Sequence, residues 1–536
     1  MQIGKQTAQL ELPQQWHVAF ERDRENPLRG NDPLPERQAA RFLTAFIITG
    51  LVFVLLPGTL LGVWNLLTIA GEHTGTGASP AWIQAHGQAQ LLGWVGTFIL
   101  GVSLYVLPKL MGRYIARLDL VWIDWALWSA GVAWRWWISL SGDHWRFGLV
   151  ASAALELAAF ILAQYLLWFD RPRNASAHPE SKRQKSFPGD LASWLGIAGF
   201  GSFMLALVLN LGIAIEVARR AAGPVYPPVA DRIFLILALW GFAIPVALSY
   251  STRFVTIFAG LAEPRQAAAR RLSAAVALVV LCALLQQFLA ASILATGISV
   301  GAIWALRVFE PAKRKPKRVG VYPHYPLFMR LAYGWLLVGA LLGIVAELAP
   351  QASGLGGASR HALTVGFLAT LIFCVGPLIL PSFLAGRELW SPALMGASLW
   401  LLNVGCALRV TSESVAYSSP GGIVWRVLPV SALLELTAVC LFVLNLGLTI
   451  AQRIPAWFGP SGVAPQMTVY FYVASFPKTR RVLQDAGLNT LVSAREIPHT
   501  LTLAEAAAAD GADLNRVLGA LREFFAKRQP RRQRNI

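Results

Sequence analysis

Twelve long apolar stretches, separated by short polar loops, constrain this chain more than any other feature of its sequence. Each is about 20 residues or longer, the length that an α-helix needs to cross a bilayer. Only 14% of the 536 residues are charged, whereas soluble domains carry about 25%. The sequence therefore predicts an all-α, polytopic membrane protein. The expected spans cover roughly residues 41–68, 81–108, 120–140, 147–169, 191–215, 232–258, 268–287, 289–309, 328–348, 359–385, 391–409 and 425–450.

Lysines and arginines gather in alternate loops between the apolar stretches. They follow the second, fourth, sixth and eighth spans, whereas the loops at 70–80, 141–146, 349–358 and 410–424 are nearly free of them. Membrane proteins keep such basic loops in the cytoplasm. The net charge of +18 therefore orients helices and does not indicate nucleic-acid binding. We expect a multi-pass protein of the bacterial inner membrane, in contact with lipid, with both termini in the cytoplasm.

Three segments outside the spans differ from the membrane domain in composition. The N-terminal segment has balanced charge and no apolar core, and the chain ends in a basic tail. Before this tail, Thr502 and Glu505 have the spacing of a capping box, which predicts a helix over 503–527 in a small cytoplasmic, mainly helical domain. The expected parts of the chain are residues 1–40, 41–452, 466–527 and 528–536.

Spans 2–4 recur in the sequence as spans 10–12. A shift of 273 residues aligns a Gly-Thr-Leu-Pro pattern, and shifts of 274 and 279 align an arginine and a glutamate. The two copies start eight spans apart, which favours three blocks of four helices with a diverged middle block. The aligned pairs are Gly93 with Gly366, Thr97 with Thr370, Leu107-Pro108 with Leu380-Pro381, Arg135 with Arg409, and Glu156 with Glu435.

Two of the eight histidines, His86 and His361, lie inside predicted spans. Both are expected near the outer ends of spans 2 and 10. The helix face that carries His86 continues with small and polar residues. Such a face suits either a flat ligand such as haem or close helix packing. Imidazoles from two helices of a bundle can hold a low-spin b-type haem iron from both sides. The shift of 273 residues places His361 opposite Gln88, so the histidines would approach one haem from non-equivalent faces.

Four charged residues inside the spans form two of the repeat-related pairs. Arg135 and Arg409 are expected near the outer ends of spans 3 and 11. There a guanidinium either extends to the headgroups or pairs with a haem propionate. Glu156 and Glu435 are expected well inside spans 4 and 12, where a carboxyl is costly unless it is paired or protonated. Their role is either a proton or polar relay, or a protonated carboxyl bonded to a neighbouring helix.

With His86-Gly87 opening span 2 and helices in three blocks of four, the chain resembles subunit I of the haem-copper oxidases and nitric oxide reductases. The resemblance implies a pseudo-threefold arrangement of twelve transmembrane helices. It also implies that His86 and His361 are the two ligands of the low-spin haem, because these positions match the low-spin ligands on helices 2 and 10 of that family.

The ligands of that family's oxygen-reducing centre do not match this sequence. Ser359 stands where the active-site haem ligand is expected on span 10, and Ile244 stands where span 6 carries a copper ligand. The adjacent copper ligands of span 7 align with Gln286 and Gln287. The resemblance therefore implies that the oxygen-reducing centre is absent.

A second resemblance concerns the helix that contains His86, Gly93, Thr97 and Leu107-Pro108, and the segment His361-Ala362-Leu363-Thr364-Val365-Gly366. Both resemble segments of the NnrS family, twelve-helix bacterial membrane proteins that carry haem, are reported with copper, and accompany nitric oxide stress and denitrification. This resemblance implies a haem b protein whose partner is nitric oxide or a redox protein. Copper is a further cofactor to consider, with His73 or His144 as its ligand.

Two other functions remain open from the sequence alone. A proton-coupled solute transporter with an internal repeat would use the intramembrane carboxyls Glu156 and Glu435, and would bind no haem. A catalytic subunit of a cytochrome oxidase or nitric oxide reductase would hold copper or non-haem iron and turn over its substrate. The sequence assigns no catalytic residue, and it contains no Walker loop and no Gly-x-Ser-x-Gly motif.

Overall fold

The structure of the chain is a computed structural model. The structure describes residues 34–74, 77–110, 115–170, 190–314, 316, 320–383, 389–417, 422–452, 463, 465, 469, 472–473, 479–489 and 501–526. The chain divides into two compact units: a membrane unit of Pro33–Leu378 and Leu389–Gly447, and a unit that includes Leu448–Ile536. The predicted segment 1–40 lies mostly outside the described residues, and the tail 528–536 lies entirely outside them.

Twelve long helices account for the membrane unit, at positions close to the twelve apolar stretches. Four of them contain a π-helical segment between α-helical parts. The helices are α1 (Leu34–Phe53, Val54–Leu60, Leu61–Glu72), α2 (Pro80–Gln88, Ala89–Gly96, Thr97–Leu110), α3 (Leu118–Ser141), α4 (Trp145–Trp168), α5 (Leu191–Arg220), α6 (Pro228–Ile236, Leu237–Ala243, Ile244–Ser251), α7 (Ala269–Leu284), α8 (Phe288–Leu306), α9 (Tyr325–Leu348), α10 (Gly354–His361, Ala362–Ala369, Thr370–Phe383), α11 (Pro392–Ala416) and α12 (Val424–Ala451).

Eleven of these helices are long and apolar enough to cross a membrane, and α3 is the exception. Its 24 residues would extend about 36 Å, enough to cross. However, α3 carries Asp119, Asp124 and Arg135, and much of its bulk comes from six tryptophans, which are less hydrophobic than leucine or valine. The all-α membrane fold is confirmed, and the count of twelve crossings stays a prediction.

The end of α11 differs from the prediction. The sequence predicted a span over 391–409 followed by a loop, whereas the helix continues to Ala416. Three hydroxyl side chains in this extension, Thr411, Ser412 and Ser414, donate to the carbonyls four residues earlier at 2.7, 2.5 and 2.7 Å. Their polarity is satisfied within the helix itself. The polar residues after Arg409, which the sequence assigned to a loop, can therefore form the last turns of α11.

The π-helical segments of α2 and α10 occupy repeat-related positions. Ala89–Gly96 and Ala362–Ala369 are separated by the same 273 residues that align the two sequence copies. The middle helix α6 also carries a π segment, Leu237–Ala243. The first helix α1 carries one as well, Val54–Leu60, whereas α5 and α9 are α-helical throughout. The three-block repeat stays a prediction.

Contacts between neighbouring helices also match between the two copies. A Cβ at Gly131 of α3 would lie 2.9 Å from Glu156 Cγ and 3.0 Å from the Ser152 carbonyl oxygen of α4. A Cβ at Gly405 of α11 would lie 2.9 Å from Glu435 Cγ and 3.2 Å from the Ser431 carbonyl oxygen of α12. Each glycine thus permits the same close approach of a glutamate-bearing helix.

The C-terminal unit contains the helices α13 (Thr479–Asp485), α14 (Leu503–Asp510) and α15 (Leu514–Ala526). The predicted capping box is present, with Thr502 and Glu505 bonded reciprocally. The single helix expected over 503–527 is wrong, because Gly511 adopts a φ of 63° and ends α14. Apolar residues of these helices, including Leu483, Leu503 and Leu521, form a buried core.

Candidate functional site

The predicted ligand residues meet at one cavity in the membrane unit. The cavity has a volume of about 1270 Å³ and is lined by His86, His361, Arg135 and Arg409, among others. It exceeds the range of roughly 300–1,000 Å³ that is usual for small-molecule sites. His86, His361 and Arg409 lie close enough to interact electrostatically. The structure therefore brings together all four residues that the sequence assigned to a haem and its propionates.

His86 of α2 lies against α1 at two glycines. A Cβ at Gly62 would overlap the imidazole ring, so only a glycine leaves room for it. The Nδ1 atom of His86 lies 2.8 Å from the carbonyl oxygen of Gly58, within the π segment of α1. A ring nitrogen that faces a carbonyl must be the protonated donor, because a carbonyl can only accept. The other nitrogen, Nε2, is left with a lone pair.

His361 of α10 is held in a similar way by different groups. Its Nδ1 lies 3.0 Å from the carbonyl oxygen of Gly357, one turn earlier. The same atom lies 3.1 Å from Oε2 of Glu413 on α11. The Gly357 carbonyl oxygen accepts the Nδ1 hydrogen bond, whereas Glu413 Oε2 lies at an ion-pair distance without hydrogen-bond geometry. Nε2 of His361 is again left with a lone pair. Histidines that bind metals usually donate their second ring N–H to a carbonyl or carboxylate, and both histidines fit this pattern.

Both cavity arginines have unsatisfied donors. Arg135 and Arg409 are 4% and 8% exposed, and in each the buried Nη1 has no hydrogen-bond partner among the described residues. The guanidinium of Arg135 lies over the ring of Tyr226, 4.4 Å from its centroid. Arg409 Nε lies 3.1 Å from Glu413 Oε2, an ion-pair distance without hydrogen-bond geometry. Each arginine can therefore still donate to an anion in the cavity.

Glu156 belongs to a hydrogen-bond network beside the cavity. Gln88 Nε2 donates to its Oε1 at 2.6 Å, and Asn210 Nδ2 donates to its Oε2 at 3.0 Å. The Tyr226 hydroxyl in turn donates to Asn210 Oδ1 at 2.8 Å. Tyr226 lies in the loop before α6, and burial raises the pKa of its hydroxyl to about 12, so it remains a donor. Gln88, which aligns with His361 in the repeat, thus binds a carboxyl instead of serving as a ligand.

Glu435, the repeat partner of Glu156, has different surroundings. It lines the cavity, and its buried Oε1 has no hydrogen-bond partner among the described residues. The position that would match Gln88 holds His361, which contacts Glu413. The two glutamates therefore share their helix contacts but differ in the polar groups around them.

Sequence reasoning missed Glu413, Asn210 and Tyr226. Glu413 was assigned to the loop 410–424, because the end of α11 was placed at Arg409. Its spacing of four residues from Arg409 is the signal that could have found it, since such residues are neighbours on a helix. Asn210 lies in the middle of α5 and Tyr226 in a loop, and no local pattern links them to Glu156.

The residues aligned with copper ligands are not among those that line the cavity. Ile244 is fully buried in α6, and Gln286 and Gln287 are exposed in the turn between α7 and α8. Of the two other candidates, His73 lines the cavity and stacks on Trp425 with ring centroids 5.2 Å apart. His144 precedes α4 in a left-handed conformation and is exposed.

Comparisons with known proteins address the fold. A family model described as a domain of unknown function (DUF8744) matches residues 233–448. No curated protein matches the chain. One solved structure that is similar to the chain is a cryo-EM structure of a heme-copper terminal oxidase dimer, with 13% identity and a TM-score of 0.59 over 77% of this chain and 84% of that one. The membrane unit therefore has an all-α fold like that of haem-copper oxidase subunit I.

Proposed function

We propose that this chain is a bacterial inner-membrane haem b protein that transfers electrons or handles nitric oxide and does not reduce oxygen. His86 and His361 would hold the haem iron. The observation that carries the proposal is that both imidazoles line one cavity with Nδ1 facing an acceptor and Nε2 free. The link to nitric oxide comes from the sequence resemblance to the NnrS family.

The cavity residues fit a haem in three respects. Gly62 leaves a recess for the His86 ring, two neutral imidazoles supply the donor set of a low-spin haem, and Arg135 and Arg409 each offer an unpartnered Nη1 to a propionate. A bound haem would supply an iron that alternates between the ferric and ferrous states. The protein would orient the imidazoles, neutralise the propionates and exclude bulk water.

Glu156 and Glu435 would serve as a proton or polar relay beside the haem. Glu156 connects through Asn210 to the Tyr226 hydroxyl, and Glu435 lines the cavity directly. A carboxyl in such a position can exchange a proton when the charge of a nearby centre changes. Copper at His73 is a second candidate cofactor, since this histidine also lines the cavity.

Optical spectra of the purified protein test the proposal. The wild type in detergent should show the spectrum of a six-coordinate haem b, and either His86→Ala or His361→Ala should abolish it. His144→Ala is the matched control, because this exposed histidine lies outside the cavity lining, and it should keep the spectrum. Addition of nitric oxide to the reduced protein should change the spectrum if the protein handles nitric oxide, and should leave it unchanged if the protein only transfers electrons.

Other results would favour the alternative functions. A colourless wild type would contradict the proposal, and uptake of a solute that depends on Glu156 and Glu435 would then support a transporter. Stoichiometric copper or non-haem iron together with turnover of oxygen or nitric oxide would instead identify a catalytic oxidase or reductase subunit.

A further inference from the structure

Glu413 is a buried carboxylate that contacts the proposed ligand His361. Its Oε2 lies 3.1 Å from His361 Nδ1 and 3.1 Å from Arg409 Nε, and its side chain is 8% exposed. The carboxylate thus stands between the imidazole of α10 and a guanidinium one turn earlier on α11. A buried carboxylate without a counter-charge would be strongly destabilising, so Arg409 stabilises Glu413 in this place.

Two glycines in the first turns of α10 allow this close approach. A Cβ at Gly357 would overlap Glu413 Oε1, and a Cβ at Gly354 would overlap the main-chain oxygen of Glu413. Gly357 also contributes the carbonyl oxygen that lies 3.0 Å from His361 Nδ1. The sequence Gly354-Leu-Gly-Gly357 therefore brings a carbonyl and a carboxylate to the same ring nitrogen.

His86 has no corresponding carboxylate. Among the described residues, Gly58 supplies the acceptor at its Nδ1. The repeat places Ser139 where α11 has Glu413, and the Ser139 hydroxyl donates to the carbonyl oxygen of Arg135 at 2.9 Å. One imidazole therefore faces a neutral carbonyl alone, and the other faces a carbonyl together with an anion.

We propose that Glu413 is a positioning residue for His361, held in place by Arg409, and that it makes His361 a stronger electron donor than His86 toward an iron that the two histidines would hold. The inference rests on the proposed function, in which His86 and His361 hold a haem iron. An acceptor at Nδ1, here the Gly357 carbonyl, fixes the ring orientation and raises the basicity of the ligand. The negative charge of Glu413, 3.1 Å from the same nitrogen, raises that basicity further. A stronger donor stabilises the ferric state relative to the ferrous state.

Redox titration and low-temperature electron paramagnetic resonance of the purified full chain test this role. Glu413→Gln keeps the shape of the side chain and removes its charge. It should retain the haem, raise the midpoint potential and change the g values of the ferric low-spin signal. Haem affinity should fall by roughly the 10- to 100-fold that loss of such an outer partner costs a metal site.

The control is Glu347→Gln, which removes one carboxylate that lines the same cavity but pairs with Arg232. Its potential shift measures the effect of charge loss alone. The inference would be overturned if the midpoint potential of Glu413→Gln shifted no more than that of Glu347→Gln and the g values stayed unchanged. A haem-free wild type would overturn the proposed function itself, so the two failures are distinguishable.

A second variant covers the case in which Glu413→Gln does not fold. Gly357→Ala keeps every charge but places a methyl group where Glu413 Oε1 now lies. The carboxylate must then move away from His361, and the midpoint potential should again rise. A Gly357→Ala protein with the potential and g values of the wild type would show that Glu413 does not act on His361.

Discussion

At the scale of single residues, glycines decide where the two histidines can lie. His86 rests on the Gly62 face of α1 and bonds to Gly58, whereas His361 bonds to Gly357. The missing side chain of Gly62 leaves room for the His86 ring, whereas the missing side chain of Gly357 leaves room for the Glu413 carboxylate beside His361. The tautomer of each imidazole thus follows from a main-chain carbonyl, which belongs to α1 for His86 and to α10 itself for His361.

Gly62→Ala should weaken haem binding without unfolding the protein. The added methyl group would overlap the His86 ring and push Nε2 away from its position, with a loss of affinity of about 10–100-fold. Gly71→Ala is the matched control in the same helix, because a Cβ there meets nothing within 4 Å. Haem content per chain after gel filtration is the measurement. Equal haem content in the two variants would contradict the assigned position of His86.

Glu156→Leu should destabilise the protein more than Glu435→Leu. Both glutamates pack their Cγ against a glycine in the same way, so the change in packing is matched. Only Glu156→Leu leaves two buried amide donors, from Gln88 and Asn210, without their acceptor, at about 1–3 kcal/mol each. Thermal unfolding midpoints in one detergent give the comparison. Equal midpoints would mean that the network around Glu156 contributes little stability.

At the scale of elements, the π segments are a part of the fold that the sequence does not predict. His86 lies three residues before the π segment of α2, and His361 lies directly before that of α10. Adding one residue to a helix rotates the part of the helix before the insertion by about 100° relative to the part after it. The π segments therefore change the directions of His86 and His361, both of which line the cavity. The lengths of the apolar stretches could locate each long helix, and the positions of the histidines within them could single out His86 and His361. Neither could reveal the π segments, which depend on packing between helices, or the Glu413 contact at the end of α11.

The capping box of α14 predicts a pH-dependent helix end. The Thr502 backbone N–H and hydroxyl donate to the Glu505 carboxylate, and these hydrogen bonds lower the pKa of Glu505. Its stabilising effect is therefore complete above the unfolded pKa of about 4.3 and is lost as the pH falls through the lower folded value.

Hydrogen exchange of residues 503–510 in the full chain measures this effect. Glu505→Ala should exchange faster than the wild type at pH 7, because its capping box is broken. The two proteins should exchange alike at a pH well below 4, where the wild-type carboxyl is protonated. A comparison at each pH cancels the intrinsic pH dependence of exchange. A difference that persists unchanged in acid would contradict the role of the carboxylate.

At the scale of the whole molecule, the distribution of charge predicts which side of the membrane the site faces. Basic residues follow α2, α4, α6 and α8, as in the loop 313–318, and such loops stay in the cytoplasm. The first turns of α2 and α10 would then lie on the outer side. His86 lies six residues after Pro80, about 9 Å along the helix. The site would therefore lie in the outer half of the membrane and meet an electron partner from that side.

Reporter fusions test this orientation. Green fluorescent protein fused after Ile536 should fluoresce, because it folds in the cytoplasm, and alkaline phosphatase inserted after Gly142, between α3 and α4, should be active in the periplasm. The same phosphatase inserted after Lys315, between α8 and α9, should be inactive and serves as the internal control. The reverse pattern would place the outer ends of α2 and α10 in the cytoplasm. Electrons would then reach His86 and His361 from a cytoplasmic donor, and the charge asymmetry of the loops would need another explanation.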